Sequence, residues 1–396
     1  MISRINISIE LFEDEYLNQF YPLIETRPLG ELRMGIYSNS ERWMQFISGK
    51  VNHQTRLYLK SLFPPLAEEG ALQVNACVIP DQRFADSVSV LKPNECLWQS
   101  GRVLASFVPL DKAKGIDLVN IEYEGDLIVL KHITDLFLLN DKVIRHDFEN
   151  FRIRTGQTLS AGNILVGPDS NLFISPGAKV NASIINTETG PVYIGHGAEV
   201  MEGSMIRGPF VLGDHSTLKM GAKVYGATTI GPHCKIGGEV SNSVISGFSN
   251  KAHDGFLGNS VLGEWCNLGA DTNNSNLKNN YGSVSLWNKV KGDFDDTGLI
   301  FCGLMMGDHS KCGINTMFNT GTVVSTCCNL FGGGYMPRFV PSFSWGGSEG
   351  LIQYNFEKAI ETASMVMERR QMVLDQDYKE VLWKVFEESH TDKIKP

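Results

Sequence analysis

The sequence predicts an α/β domain joined to a triangular β-solenoid, with a helical segment at the C-terminal end. Three observations predict it. Apolar side chains recur every sixth residue through Ile194, Val200, Ile206, Leu212, Leu218, Val224, Ile230 and Ile236. That beat matches neither helical periodicity nor strand alternation; it is the period of a hexapeptide coil with one inward aliphatic per side. Glycine follows the aliphatic in Ile194-Gly195, Leu212-Gly213, Ile230-Gly231 and Ile236-Gly237, where corners demand tight turns. Before about residue 150, strand-like and helix-like runs are interspersed instead, as in an α/β sheet domain. A β-sandwich with accidental spacing is the alternative, and so many residues on one register speak against it.

In order, the strands expected in the domain 1–150 are Ile5–Phe12, Leu72–Ile79, Val103–Val108 and Leu127–Leu130. Its expected helices are Ser40–Phe46, Thr55–Leu62 and Ile133–Leu139. The solenoid, 151–348, begins near Leu165-Val166, carries Ile174 and Val180, and shifts phase around Asn186–Pro191. Its beat loosens after Ile236 and resumes at Leu257, Leu262 and Leu268. A polar excursion, Asp271–Asn280, interrupts the coils, and loops that leave a solenoid tend to carry function. In 349–396, Ile352, Phe356, Ile360, Met365 and Val366 form an apolar stripe, while Glu357, Arg369 and Arg370 take other faces. This helix is expected to cap the solenoid end or pack on a neighbouring subunit.

Composition narrows the function classes. The 396 residues are 42% hydrophobic and 20% charged, with formal net charge -9. No Lys/Arg-rich block is present, so nucleic acid is not an expected partner. No signal peptide or membrane span is expected. The eight cysteines form no Cys-x-x-Cys pair and read as reduced, buried thiols of a cytoplasmic protein. In Cys327-Cys328 the two side chains are expected to face opposite ways. Zinc-dependent solenoid chemistry would want clustered histidines, and no two histidines stand five positions apart. Which metal, if any, the coils hold is therefore left unknown.

The chemistry-bearing stretch runs Asn250-Lys251-Ala252-His253-Asp254-Gly255-Phe256-Leu257-Gly258, then Asn267-Leu268-Gly269-Ala270 and Asn276-Leu277-Lys278. A second is Met306-Gly307-Asp308-His309-Ser310-Lys311-Cys312-Gly313-Ile314-Asn315. Together they resemble the acetyltransferase half of the bifunctional N-acetylglucosamine-1-phosphate uridylyltransferase/glucosamine-1-phosphate N-acetyltransferase family, in a divergent Bacteroidetes-type branch. The resemblance implies a left-handed parallel β-helix, assembled as a homotrimer with sites between subunits. It implies that His253 is the general base that deprotonates the amine of glucosamine 1-phosphate for attack on acetyl-CoA. An imidazole can accept a proton at cellular pH. Lys235, Lys251, Asn267 and Asn276 would then contact sugar or phosphate, and Ala270, Lys311 and Gly313 would border acetyl-CoA. Phe256 stands where the family has Tyr, and Asp271 where Gly is usual.

The N-terminal part has no Gly-rich phosphate loop. It reads Thr26-Arg27-Pro28-Leu29-Gly30-Glu31-Leu32-Arg33-Met34-Gly35, which resembles the same divergent branch and implies a nucleotidyltransferase-like domain. Arg27 and Arg33 would hold nucleotide phosphates, Glu31 would orient one of them, and Asn75 would lie at the nucleotide. Val74-Asn75-Ala76-Cys77 stands where the family carries Val-Asn-Gly-Asp, whose Asp binds Mg2+. The function implied is synthesis of UDP-N-acetylglucosamine or a related product from acetyl-CoA, UTP and an amino-sugar phosphate, with Mg2+. Retention of only one activity, or a non-catalytic trimeric platform, are the alternatives.

Overall fold

The computed structural model describes residues 4–66, 72–107, 118–150 and 155–389. The chain divides into two compact units. The first comprises Met1–Phe20, Arg27–Leu32 and Tyr37–Ile133; the second comprises Tyr21–Thr26, Arg33–Ile36 and Thr134–Pro396. By contacts the first unit ends at Ile133, and two short N-terminal segments group with the solenoid.

In the first unit, β1 (Ile9–Phe12) lies between β2 (Val51–Gln54) and β3 (Leu72–Asn75), parallel to both. β4 (Glu95–Gln99), β5 (Arg102–Ser106) and β6 (Val119–Glu122) extend the sheet in the order β2-β1-β3-β5-β4-β6. β1 is buried along its whole length, which its Ile-Glu-Leu-Phe sequence permits because Glu10 accepts a 2.6 Å hydrogen bond from Gln73 Nε2. Helix α1 (Asn39–Phe46) opens on a capping box between Ser38 and Glu41. In α2 (Gln82–Ser89) the Asp81 carboxylate accepts the Phe84 N–H at 2.7 Å. The helix expected over Thr55–Leu62 is only a single 3-10 turn, Leu57–Leu59. Leu57 is exposed, and the paired prolines Pro64 and Pro65 allow no continuation. The strand expected over Leu72–Ile79 is split, because Asn75 Oδ1 accepts the Cys77 N–H at 2.9 Å and turns the chain there.

The second unit starts with α3 (Asp135–Leu138) and α4 (Asn140–Asn150). Asn140 is fully buried at their junction. Its Nδ2 donates to the Ala227 carbonyl at 3.0 Å, and its Oδ1 accepts from the Gly35 N–H at 2.8 Å and Thr229 Oγ1 at 3.1 Å. One amide side chain therefore ties α4 and the Arg33–Ile36 segment to the coils.

The coils are parallel β-solenoid rungs stacked into three sheets. Ile194 pairs with Leu212 and Leu212 with Ile230, an advance of 18 residues per coil, while Ile230 to Ile245 advances only 15. That shortening is why the six-residue beat loosens after Ile236. The eight aliphatics of the sequence register are each at most 2% exposed. At one corner the inward column reads Ala198, Ser216, Cys234, Ser249, Cys266, Ser310, Cys328, Ser344, by the register of the flanking strands. Ser216, Ser249 and Ser310 accept the N–H of Cys234, Cys266 and Cys328 at 2.8, 2.9 and 3.0 Å and donate to carbonyls of the next coil. The buried free thiols expected from the sequence are present, and three of them, Cys234, Cys266 and Cys328, have this structural reason. Cys328 lies in the solenoid core and Cys327 in a separate cluster outside it, so the adjacent pair does face opposite ways.

The excursion begins later and runs longer than expected. Asn273–Asn274 still pairs with Met317–Phe318. The chain then leaves the stack, forms an antiparallel hairpin of Ser285–Asn288 with Asp293–Asp296, and rejoins at Leu304–Met306. At the point of departure the buried Asn274 side chain accepts the Gly258 N–H at 2.9 Å and donates to its carbonyl at 3.1 Å, replacing the missing next rung.

The C-terminal segment holds two helices, α5 (Phe356–Glu368) and α6 (Gln376–Ser389), preceded by a strand, Gly350–Gln353, antiparallel to Ser344–Gly347. Ile352 therefore sits on the strand, and Met365 is exposed; the residues of α5 that are buried are Ala359, Ala363 and Met367. Both helices pack against Trp265, Cys327 and Phe343, at the corner of successive coils, rather than across the open end. That corner carries a ring ladder, with His233 on Phe248 at 4.9 Å and Phe248 on Trp265 at 4.2 Å.

Candidate functional site

His253 is placed by a turn that follows the short strand Asn250–Lys251, and it is exposed. The turn needs glycine on both sides of it. Gly255 has φ +116 and a Cβ there would stand 2.2 Å from the Thr272 carbonyl, while a Cβ on Gly238 of the preceding coil would stand 2.9 Å from the His253 carbonyl. Beneath the turn lies Lys251. It occupies the inward column between Ile236 and Leu268 and is 1% exposed. Its Nζ donates to the His253 carbonyl. Burial pushes the ammonium down to about 8, against the opposing pull of Asp254 and Asp271. A side chain pointing into the core cannot grip a sugar phosphate, so the substrate-binding role expected of Lys251 is corrected to a structural one.

Asn276 is likewise engaged, donating from Nδ2 to Asn259 Oδ1 at 2.8 Å, while its carbonyl accepts the Cys302 N–H at 2.9 Å. It closes the neck of the excursion. Ala270 and Gly313 follow consecutive rungs on the His253 side of the sheet. The Ala270 carbonyl accepts the Asn315 N–H at 2.8 Å, and a Cβ on Gly269 would meet the Gly313 carbonyl carbon at 2.4 Å.

Three expected residues do converge. Lys235, Asn267 and Lys311 line one cavity of about 490 Å³, together with Asn250 and two residues from the end of α5, Arg369 and Arg370. The first three and Asn250 form one outward column, because Lys235, Asn250, Asn267 and Lys311 are register partners on neighbouring coils. Phe248 and Trp265 form the corner wall. Lys311 Nζ donates to the His309 carbonyl at 2.8 Å, and burial lowers its pKa from the usual lysine value. The sequence places Arg369 and Arg370 away from the apolar stripe of the helix, with no role assigned to them. Nothing local signals that α5 lies along the lysine column; only the contact of its Ala363 and Met367 with the ring corner does so.

In the first unit the parallel strands β1 and β3 end side by side, the place where open α/β sheets bind ligands. Asp14 follows β1 and pairs with Arg102 Nε at 2.6 Å. Asn75, fully buried at the end of β3, donates to Asp14 Oδ2 at 2.7 Å. Glu13 accepts Thr55 Oγ1 at 2.8 Å and the Leu29 N–H at 2.9 Å. Arg56 donates to the Arg27 carbonyl at 2.8 Å. Burial alone would raise the Glu31 carboxyl, but His53 at 2.7 Å, Ser40 and Arg27 hold it below the usual carboxylate range. Arg33 groups with the second unit and donates to the Ile36 carbonyl at 2.8 Å, so it does not join Arg27, Glu31 and Asn75 in one unit. Sequence reasoning missed Asp14 and Arg102, whose pairing joins residues far apart in the chain.

Among the described residues no group of His, Cys, Asp and Glu is arranged to hold a metal. The Cys77 thiol, where the resemblance expects a metal carboxylate, is pushed up to about 12 by burial and by Asp14. It is protonated, and neutral sulfur does not suit a hard cation. Asp14 is committed to Arg102. The residues at this place do not fit Mg2+.

A family model described as sugar nucleotidyl transferase matches residues 9–155. The chain is similar to the bifunctional protein GlmU of Synechococcus elongatus, 33% identical over 148 residues, 36% of this chain and 27% of that protein. It is also similar to the GlmU protein of a Picosynechococcus species, 30% identical over 139 residues, 35% of this chain and 27% of that protein. These matches thus span about a quarter of each relative's length. Among solved structures, the polysialic-acid-specific acetyltransferase NeuO has TM-score 0.28 at 10% identity, covering 52% of this chain and 94% of that one. A UDP-N-acetylglucosamine acyltransferase from Campylobacter jejuni has TM-score 0.19 at 12% identity, covering 57% and 95%. Such scores carry no argument; the solenoid is established by its strand register. Among the described residues no helix is long and apolar enough to cross a membrane.

Proposed function

We propose that this chain, a fusion of a sugar-nucleotidyl-transferase-type domain with a β-solenoid, is a bifunctional transferase of amino-sugar nucleotide synthesis. The solenoid transfers the acetyl group of acetyl-CoA to glucosamine 1-phosphate or a close relative. The observation that carries this reading is the exposed His253 on a glycine-bounded turn, beside an outward column of lysine and asparagine. His253 takes a proton from the sugar amine as its nitrogen attacks the thioester carbonyl. The N–C bond forms, the C–S bond breaks, and the departing thiolate takes up a proton. Asn267 and Lys235 orient the sugar phosphate, and Ala270 and Gly313 leave room for the pantetheine arm. A trimer that completes each site with a neighbouring copy belongs to this reading, as does a cytoplasmic location.

The first unit transfers a nucleotidyl group from UTP or another nucleoside triphosphate to the sugar 1-phosphate, releasing pyrophosphate. Arg27 is assigned to the phosphates, with Glu31 holding its orientation and Asn75 supporting the strand end. Mg2+ belongs to the expectation for such chemistry, but Cys77 and Asp14 do not supply its ligands, and no step here runs through it. That misfit favours a second reading, in which acetyl transfer alone is retained.

The test is a pair of assays. Thiol release from acetyl-CoA with glucosamine 1-phosphate should fall at least a hundredfold in His253→Ala. Pyrophosphate release from UTP and N-acetylglucosamine 1-phosphate should fall in Arg27→Ala. Thiol release unaffected by His253→Ala would refute the acyl-transfer half. Absence of pyrophosphate release across several nucleotides, with thiol release intact, would establish the second reading.

A further inference from the structure

Lys235 and Lys311 reach the cavity from the sheet, and Arg369 and Arg370 reach it from the end of α5. The described residues lining it include no carboxylate, and none of the four cations has an acidic partner among the described residues. Arg370 donates to Asn250 Oδ1 at 3.2 Å and Lys311 to a carbonyl, so both are held by neutral acceptors only. The nearby carboxylate of Asp308 faces elsewhere, accepting the Glu264 N–H at 2.7 Å and Thr26 Oγ1. Four like charges gathered around one concavity, one of them largely out of water, repel one another and lack the counter-charge that buried cations normally have. Arginine forks and lysine points are the groups that take phosphate oxygens, and the two asparagine amides add neutral donors. The volume of about 490 Å³ lies within the range of small-molecule sites.

We propose that this cavity binds a phosphate-bearing ligand, with Lys311 and Arg370 as inner contacts and Lys235 and Arg369 at the mouth. An anion there completes the charge set that the chain leaves open. The inference stands on the cavity; it draws on the proposed function only for the ligand's source. Asn250 on the wall precedes His253 by three residues, roughly 10 Å along an extended chain. Either the phosphate of the amino sugar or the diphosphate of the acyl carrier spans that distance.

The experiment is calorimetric titration of the full chain with pyrophosphate, glucosamine 1-phosphate and CoA, repeated for Arg370→Ser and for Lys311→Met. The expected result is binding that weakens with added salt and falls at least tenfold in each variant. Tighter binding of glucosamine 1-phosphate than of CoA assigns the site to the acceptor, and the reverse order assigns it to the carrier. His253→Ala should keep the anion affinity, so loss of the acyl-transfer reading leaves this one standing. Thermal melting gives a second readout. Without ligand, Lys311→Met should melt at or above the parent, and pyrophosphate should raise the parent's midpoint but not the variant's. Binding unchanged in the Arg370→Ser/Lys311→Met double variant, or no binding of any of the three anions at about 10 mM, overturns the proposal.

Discussion

Lys251 shows how one side chain can be retained against the interest of stability. It fills an inward position that its neighbours on adjacent coils give to Ile236 and Leu268, and its ammonium is held near 8 instead of the usual lysine value. The unfolded chain keeps the proton up to its ordinary pKa, so between the two values the unfolded state binds more protons. The cost is therefore full below about pH 8 and is relieved as pH rises toward the unfolded pKa. Lys251→Met should stabilise the protein by about 1–3 kcal/mol at pH 7. The advantage over the parent should shrink steadily above pH 8, measured as the difference between two denaturation series so that thiol titrations common to both cancel. Because Nζ holds the His253 carbonyl, the same variant should lose acyl-transfer rate while gaining stability. Equal stability of the two proteins at every pH would refute the charged, buried state of this lysine.

The rungs are short, and two devices hold them. Inward aliphatics supply the area, and the serine–cysteine corner satisfies backbone groups that strand pairing leaves over. Ser249 Oγ accepts the Cys266 N–H at 2.9 Å and donates to the Gly263 carbonyl at 2.8 Å. Ser249→Ala should leave both unpaired in a dry corner and cost about 1–3 kcal/mol in chemical denaturation. A cost below a few tenths would show that water reaches the corner. Helix α5 depends instead on a narrow apolar strip. Met367 is 3% exposed against the ring corner, and Met367→Ala should cost about 2–5 kcal/mol. The same change should weaken anion binding, since Arg369 and Arg370 lie two and three residues beyond Met367.

At the scale of the whole molecule, each unit carries its own chemistry-bearing groups, and the two assays should separate cleanly. His253→Ala should leave pyrophosphate release within about twofold of the parent, and Arg27→Ala should leave thiol release likewise. Loss of both activities from either change, with melting unaltered, would mean that the two chemistries share one site.

The solenoid was legible because its period repeats: an inward aliphatic every sixth residue is a local pattern, and each coil presents it again. The opposed faces of Cys327 and Cys328 followed from the same coils, while the buried thiols were read from cysteines that are scattered and form no Cys-x-x-Cys pair. What stayed hidden has no period. Lys251 reads as a surface cation until the short coil beginning at Ile230 shows which column it enters. Asp14 and Arg102 form a pair only when β1 and β5 join one sheet through β3. Arg369 and Arg370 meet Lys235 and Lys311 only because Ala363 and Met367 dock α5 on rings from coils about a hundred residues earlier. Sequence alone determined the repeating core, since burial of apolar surface depends on spacing along the chain. Tertiary structure decided which charges share a cavity, since electrostatic neighbours are set by distance through space.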